Sequence, residues 1–521
     1  MLNRSRALAS VAMVALVFGA GVVPAAADTL QEAIGLAYRT NPTLQAQRAN
    51  QRALDETTVQ ARSGLRPTLG ASVGASYSRT ETDRVTMPGQ SLPLDTNGDG
   101  IADATVSLPG STSGGTVETD SANASINLSQ NIWTAGRTAR AIDSAEAQIR
   151  SGRENLRSIE QQVMQSVIQA YADVVRDLEI LRIRQENLIV LRRQLDESNA
   201  RFEVGEITRT DVAQSEARLA QSEADLSSAQ AQLSVSRAAY AAVVGQSPTE
   251  MTALPTLPGL PSDFDTALDI ALVENPRLQA ANYDLTAAEA NVAAARAEYL
   301  PSARLQASYG GTANDFSASF GDRTAFTAGA TVSVPLFTGG LNRSRVAQSL
   351  ERANAAQINI EGERRTVLQS ISAAYAQVVT SQSTLRANDE AVRAATVAAE
   401  GVRQEAQVGL RTTLDVLNQE LELRAAQVAR ASSLRNQYVA QAQLLAAMGR
   451  LGGPNLDPTL EAYDPAENYN AVRLRGALPW DGVIEALDRV ASPVILPAQD
   501  TPDAPIDTQL KSEVIRTAPF N

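Results

Sequence analysis

Apolar residues recur along this chain with two different periods. Over long tracts the spacing alternates between three and four, as in Ile142, Ala145, Ile149, Gly152, Leu156, Ile159 and Val163. Farther on, Val212, Leu219, Leu226, Leu233 and Tyr240 follow at intervals of seven. Such spacing keeps one stripe facing a neighbouring helix along its whole length, as in a coiled coil. It predicts long helices over about 137–200 and 341–405, each returning through a second helix. At about 1.5 Å per residue each long helix would reach roughly 95–100 Å, more than a compact domain can hold.

Elsewhere the period is two. Leu69, Ala71, Val73, Ala75 and Tyr77 alternate with Thr, Gly and Ser, and Ala122, Ala124, Ile126 and Leu128 alternate with Ser and Asn. Ala303, Leu305, Ala307 and Tyr309, then Phe326 to Leu336, repeat the pattern. Four strands are predicted, at about 67–79, 120–133, 301–313 and 323–337. Segments of about ten residues, apolar on one face and small-polar on the other, fit outer-membrane strands between lipid and lumen. A soluble antiparallel sheet has the same period. Four strands cannot close a barrel, and a free edge in lipid would leave backbone groups without partners. A membrane sheet of this size therefore requires other copies of the chain.

The two halves repeat. Asn41-Pro42, Leu44-Gln45-Ala46 and Pro67 recur 234 positions on as Asn275-Pro276, Leu278-Gln279-Ala280 and Pro301. From Ile132-Trp133-Thr134 against Leu336-Phe337-Thr338 the offset is 204, so the first half carries about 30 extra residues. Val204-Gly205 matches Val408-Gly409, Thr208 matches Thr412, and Asp211 matches Asp415. Gly ends a helix at positive φ and Thr or Asp caps the next, so both stretches read as tips of antiparallel helical hairpins. The predicted organisation is a first repeat at 28–245, a linker at 246–262 with four prolines, a second repeat at 263–451, and an irregular tail at 452–521. In the tail only Asp481–Val490 reads as helix, and the tail is expected to be partly packed and partly disordered.

Residues 1–27 read as a secretory leader: Arg4 and Arg6, an apolar run from Ala7 to Val23, and Ala25-Ala26-Ala27 before Asp28. An N-terminal membrane anchor is the alternative. After the leader no apolar run of about 18 residues remains.

Composition removes most chemistry. The chain has no His, no Cys and a single Lys, Lys511. That excludes Ser-His-Asp and Cys-His catalysis, His- or Cys-ligated zinc and a phosphate-loop ATPase. A net charge of −13 argues against nucleic acid as a partner. Paired carboxylates are numerous but fit solvated helix faces, and no enzyme is predicted. Trp133 and Phe337, at matching strand ends, suit either a membrane interface or ordinary packing. One stretch within the insertion has the oxygen spacing of a calcium loop: Asp95, Asn97, Asp99 and Asp103, with Gly100 at the sixth position. Val106 stands where a bidentate Glu would complete it, so a plain Asp/Gly turn is the other reading.

With the paired Asn-Pro-x-Leu segments, Leu336-Phe337-Thr338-Gly339-Gly340, the duplication and the tip from Val408 to Leu417, the chain resembles the TolC family of outer-membrane efflux proteins from Thr29 to about Gly452. The resemblance implies an α+β membrane protein: long coiled-coil hairpins plus four strands contributed to a twelve-stranded outer-membrane barrel of a homotrimer. It also implies docking on a periplasmic adaptor and an inner-membrane ABC or proton-driven pump, with passive conduction and no cofactor. At the tips it implies a gate in which Arg411 links to groups at Thr210 and Asp211. Asp415 and Asn418 would line the aperture, and Val204, Gly205, Val408, Gly409 and Leu410 would meet the adaptor. Ala406 replaces a Tyr of that lock and Asn418 a second Asp ring, which implies a weaker latch. The competing class is a periplasmic coiled-coil adaptor or scaffold that stays out of the membrane. Such a protein would carry one hairpin rather than two.

Overall fold

Both repeats are built around one asparagine. In the computed structural model, which describes residues 29–313 and 323–498, helix α1 (Leu30–Thr40) starts at a Thr29/Glu32 capping box and stops at Asn41. The Asn41 backbone is extended (φ −62°, ψ 123°), and its Oδ1 accepts from Thr43 N at 3.0 Å to start α2 (Pro42–Ser63). Pro42 has no N–H to waste at the first helical position. Asn275 does the same between α5 (Phe264–Glu274) and α6 (Pro276–Ala297), with φ −65° and ψ 121°. Each Asn also holds the end of its own hairpin: Asn41 Nδ2 donates to Val243 O and Asn275 Nδ2 to Ala447 O, both at 2.9 Å. The predicted leader at 1–27 and the tail beyond 498 lie outside the described residues.

The hairpins are α3 (Arg137–Glu203) with α4 (Arg209–Val244), and α7 (Leu341–Gln407) with α8 (Thr413–Met448). The two long members have 67 residues each, about 100 Å of helix. Gly245 and Gly449 end the return helices at φ 92° and 85°, where any side chain would be strained. Between the apolar heptad positions of α4 runs a second seam of small residues, Ser215, Ser222, Ala229 and Ser236, all buried. Its hydroxyls are paired: Ser198 with Ser215 at 3.1 Å, Asn187 Nδ2 onto Ser222 at 3.2 Å, and Ser236 onto Asp177. Small partnered side chains let the backbones approach without leaving polar atoms unsatisfied.

Strands β1 (Thr68–Met87), β4 (Ser111–Trp133), β5 (Ser302–Ala313) and β6 (Arg323–Ser333) form one antiparallel sheet in the order β1-β4-β5-β6. Residues opposite each other share a face. One face carries the rows Leu69–Leu128–Ala307–Ala328 and Ala71–Ile126–Tyr309–Phe326. The other carries Ser72 and Ser76, whose hydroxyls meet Ser125 and Ser121 at 2.8 Å. The apolar face is bare, with Leu69 73%, Val73 77% and Phe326 71% exposed.

Three boundaries differ from the sequence expectation. β1 and β4 run well beyond 79 and begin well before 120, through polar residues on both faces where apolar alternation gives no signal. The insertion is not all loop: β2 (Gln90–Leu94) and β3 (Ala104–Leu108) pair as a separate ribbon. β6 stops at Ser333 rather than 337, because Pro335 has no N–H for the ladder.

The main core lies where α1, α3, α4 and α8 meet, around Tyr171, Tyr240, Ile168 and Met164. The proline-rich segment is part of it: Leu257 is buried there and Thr252 O accepts from the Tyr171 hydroxyl at 3.0 Å. A smaller core joins α5, α7 and α8 around Leu268, Ile371 and Met448. Within its described residues, up to 498, the tail forms α9 (Gly453–Leu456) and α10 (Pro465–Val472) besides the expected helix, α11 (Asp481–Arg489). Asp464-Pro465 is a cap and first-turn proline, a sequence signal for α10 that the reading of an irregular tail passed over.

Candidate functional site at the hairpin tips

Each long helix ends in the same turn. Gly205 and Gly409 both sit at φ 79°. Glu206 N donates to Arg201 O and Leu410 N to Glu405 O, both at 2.9 Å, which closes the last helical carbonyls through a left-handed glycine. This turn pushes Val204, Val408 and Leu410 out to 71–75% exposure. A glycine with open space about it, beside Val204 at the first tip and beside Val408 and Leu410 at the second, gives each tip a small apolar knob.

The next residues are capping boxes. Asp211 Oδ2 accepts from Thr208 N at 2.9 Å and from its hydroxyl at 2.7 Å. Asp415 Oδ2 accepts from Thr412 N at 3.0 Å and Oγ1 at 2.9 Å. For Asp211 the Thr208 hydroxyl bond, then the amide bond, holds the carboxyl below its ordinary pKa. For Asp415 the Thr412 amide comes first and the hydroxyl second, with a smaller contribution from the Arg411 charge. Both carboxylates are committed to starting α4 and α8.

Within one protomer Arg411 is not on Thr210 or Asp211. Its Nε donates to Glu405 Oε2 at 2.8 Å, on its own hairpin, and both side chains are about half exposed. The turn brings the end of α7 back beside the start of α8, so Glu405 is the nearest carboxylate. The pairing raises the Arg411 pKa, first by that hydrogen bond and then by charge. Thr210 is exposed and makes no cap.

Polar links within the second hairpin and between the two hairpins lie above the tips and were not foreseen from the sequence. Arg218 Nη2 donates to Asn418 Oδ1 at 3.2 Å, joining α4 to α8. Arg403 pairs with Glu420, which is 2% exposed. Arg424 lies 3.7 Å from both Glu420 and Glu186, tying α8 to α3. Higher still, Arg435 Nε and Nη2 reach Asp173 Oδ1 and Oδ2 at 2.8 and 3.2 Å. The sequence signal was a run of Arg and Glu inside the apolar stripe of α8, which reads on its own as a solvated face.

At the insertion the acidic side chains accept from their own turn. Asp95 takes Gly98 N and Gly100 N at 2.7 Å, Asp99 takes Ile101 N at 2.8 Å, and Asp103 takes Thr96 N at 3.0 Å. The amides of Gly100 and Gly98 hold Asp95 below its usual pKa. Among the described residues no group of three acidic side chains converges as a metal site requires.

The outer membrane efflux protein family is matched over residues 33–246 and 267–450. Outer membrane efflux protein BepC of Brucella suis is 33% identical over 450 residues, 86% of this chain and 91% of the relative. Outer membrane protein TolC of Vibrio cholerae is 26% identical, across 82% and 91%. In fold, the solved structure of the outer membrane protein VceC from Vibrio cholerae superposes with a TM-score of 0.63 at 22% identity, over 81% of this chain and 96% of that one. Two glycine-turned hairpins on a four-stranded sheet with a bare apolar face thus have a known setting, and the chain belongs to the outer membrane efflux protein family, located in the outer membrane with a large periplasmic part.

Proposed function

We propose that three copies of this chain join their sheets into one twelve-stranded barrel and their hairpins into a conduit across the periplasm. The sheet carries the argument. Among the described residues its edges β1 and β6 are unpaired, while its apolar face is exposed. Unpaired edges are untenable in lipid, and pairing β6 of one copy with β1 of the next removes them. No described helix is long and apolar enough to cross a membrane, so the strands must do so. The family is a transport family rather than one of enzymes, and the chain works as a passive outer-membrane conduit. A periplasmic adaptor meets the tip knobs Val204, Gly205, Val408, Gly409 and Leu410. An inner-membrane ABC or proton-driven pump supplies the energy. Drug efflux and type I secretion place the same demands on these residues.

Thr210, Asp211, Arg411, Asp415 and Asn418 form the gate of that conduit. In the assembly Arg411 lies free to exchange Glu405 for groups on a neighbouring hairpin, since its present pairing is exposed and single. The test is light scattering in mild detergent with single-channel recording. The expected result is a trimer of small resting conductance, with wider openings in Arg411→Ala. A conducting monomer overturns the assembly, and unchanged openings in Arg411→Ala overturn the gate. Calcium at Asp95, Asn97, Asp99 and Asp103 is a separate proposal resting on spacing alone. It needs calorimetric heat from calcium that disappears on replacing Asp95 and Asp99 by Ala.

A further inference from the structure

Helix α11 is amphipathic the wrong way round for a soluble surface. Its polar side faces the protein. Asp481 Oδ2 accepts from Arg66 Nε at 2.8 Å, and Asp488, fully buried, takes the Thr134 hydroxyl at 2.9 Å and Ala139 N at 3.2 Å. Its apolar side faces out. Val483, Ala486, Leu487 and Val490, at helical spacings of three and four, are exposed, Val483 by 72% and Val490 by 60%. Trp480 before the helix and Val494 and Leu496 after it extend the same bare stripe. Folding brings no return for an outward apolar stripe in water, so a stripe running the whole length of α11 and into the segments on either side marks a contact.

The seat of α11 shows where that contact lies. The tail is fitted closely to the junction of β4 and α3. Trp133 Nε1 donates to Val490 O at 3.1 Å, Arg140 Nε to Pro493 O at 3.1 Å, and a Cβ on Gly136 would come within 2.0 Å of Ser492 Cβ. The face follows from register. β4 pairs Gln130 with Leu305 and Asn131 with Arg304, then skips a residue and pairs Trp133 with Ala303. Leu305 and Ala303 are on the same side of β5, so the bulge turns Trp133 onto the apolar face of the sheet. Without the bulge it would have pointed to the serine-lined face. α11 is therefore attached on the apolar side of the sheet, at the helix-proximal ends of the strands. It lies against β4, one strand in from the edge at which a second copy would join.

We infer that α11 is an interfacial anchor. Its stripe from Trp480 to Leu496 rests in the periplasmic leaflet of the outer membrane and extends the lipid-facing surface of the sheet onto the headgroup region. The occupant is lipid rather than another copy, because the stripe continues the apolar face and not the strand edge. Amphipathic helices of this kind sit about 5–10 Å into the headgroup and acyl boundary, with Trp at the same level. The inference rests on the membrane placement of the sheet.

The chain has no Cys, so single labels are unambiguous. Bimane would be attached to Val483→Cys and Leu487→Cys, to Val73→Cys on the apolar sheet face, and to Val408→Cys at a tip. Each full-length protein would be reconstituted in nanodiscs of ordinary or brominated lipid. Labels at 483 and 487 should lose about half their emission in brominated lipid, as expected for shallow insertion, with larger quenching at 73 and none at 408. If 73 is quenched while 483 and 487 behave like 408, the sheet is in the membrane and the anchor is refuted; a stripe covered by a second copy gives this result. If 73 is also unquenched, the membrane placement fails and the anchor with it.

Discussion

α3 and α7 have the same length, arise by duplication and end in the same glycine turn, yet twenty-five residues are buried in α3 and eight in α7. The first is sealed within its own chain by α1, α2, α4, α6 and α8, with α9 and α11 of the tail added. Among the described residues the second packs chiefly against α5, α6 and α8. Their beginnings differ in the same way. Gly136 and Gly340 both start a helix without a side chain of their own for a cap, but Asp488 reaches in from the tail to cap α3. Leu336 and Phe337, at the equivalent junction of the second repeat, are 93% and 90% exposed. Duplication supplied two identical scaffolds. One was closed as a core, and the other retained an exposed surface that the proposed trimer would cover.

The largest expected effect comes from charging that surface. Ile358, Val379 and Val397 are exposed on α7 at separations close to whole helical turns, forming one stripe. Val379→Asp with Val397→Asp should leave helical content unchanged but abolish the trimer. Circular dichroism and light scattering on the same sample measure both. A trimer that survives both charges places the interface elsewhere.

Next in size is a matched pair of truncations. Ile142, 1% exposed in α3, corresponds to half-buried Val346 in α7. Ile142→Ala should cost about 2–5 kcal/mol in unfolding free energy. Val346→Ala should cost about 1 kcal/mol or less before assembly. Denaturant titration of both variants checks the ratio, and equal losses would remove the asymmetry between the repeats.

Asp488→Ala probes the tail cap. It leaves the buried Thr134 amide and hydroxyl and the Ala139 amide short of an acceptor, and should cost about 1–3 kcal/mol. The loss should appear in amide exchange at residues 134–142 and not at 338–346. Uniform exchange in both repeats would mean that α3 starts as independently as α7.

The smallest effect concerns pH at the tips, where the repeats are alike. Asp211 and Asp415 have folded pKa values below the ordinary carboxylate value. Their contribution is therefore complete above the unfolded value of about 3.9 and is lost as pH falls through the lower folded value. The chain contains no His. Tip amide protection should stay flat from about pH 5 to 8 and weaken in both tips together below about pH 4. A transition near neutral pH would show that the carboxylates serve the aperture before they serve the helices.

Most of the architecture was legible because it is periodic and local. Asn-Pro, Val-Gly and Thr-x-x-Asp each specify a backbone change within a few residues, and the duplication read each one twice. Apolar alternation located the four strands because one of their faces carries a run of apolar side chains. It failed at the outer ends of β1 and β4, where both faces are polar and hydrogen bonding alone extends the pairing. Both tip turns and their Thr-x-x-Asp caps were legible, but the pairing of Arg411 with Glu405 within one hairpin was not. Whether Arg411 finds Glu405 or Asp211 depends on how the turn brings two helices together, which no spacing encodes. The polar ties from Arg218 to Asn418 and from Arg424 to Glu186 join residues roughly 200 positions apart.

The sequence by itself determined where the long helices and the apolar lengths of the four sheet strands lie, and which stripe of each is apolar, because these follow from residues within one or two turns. Only the tertiary structure decided which stripes would be covered. α11 illustrates the division. Its alternation of apolar and acidic positions was visible in the chain and, read alone, implies an apolar face turned inward. The acceptors it offers to the start of α3, and the bulge that carries Trp133 to the apolar side of the sheet, reverse that orientation. Those groups lie about 350 residues away, and they meet only once the sheet and the long helices have formed.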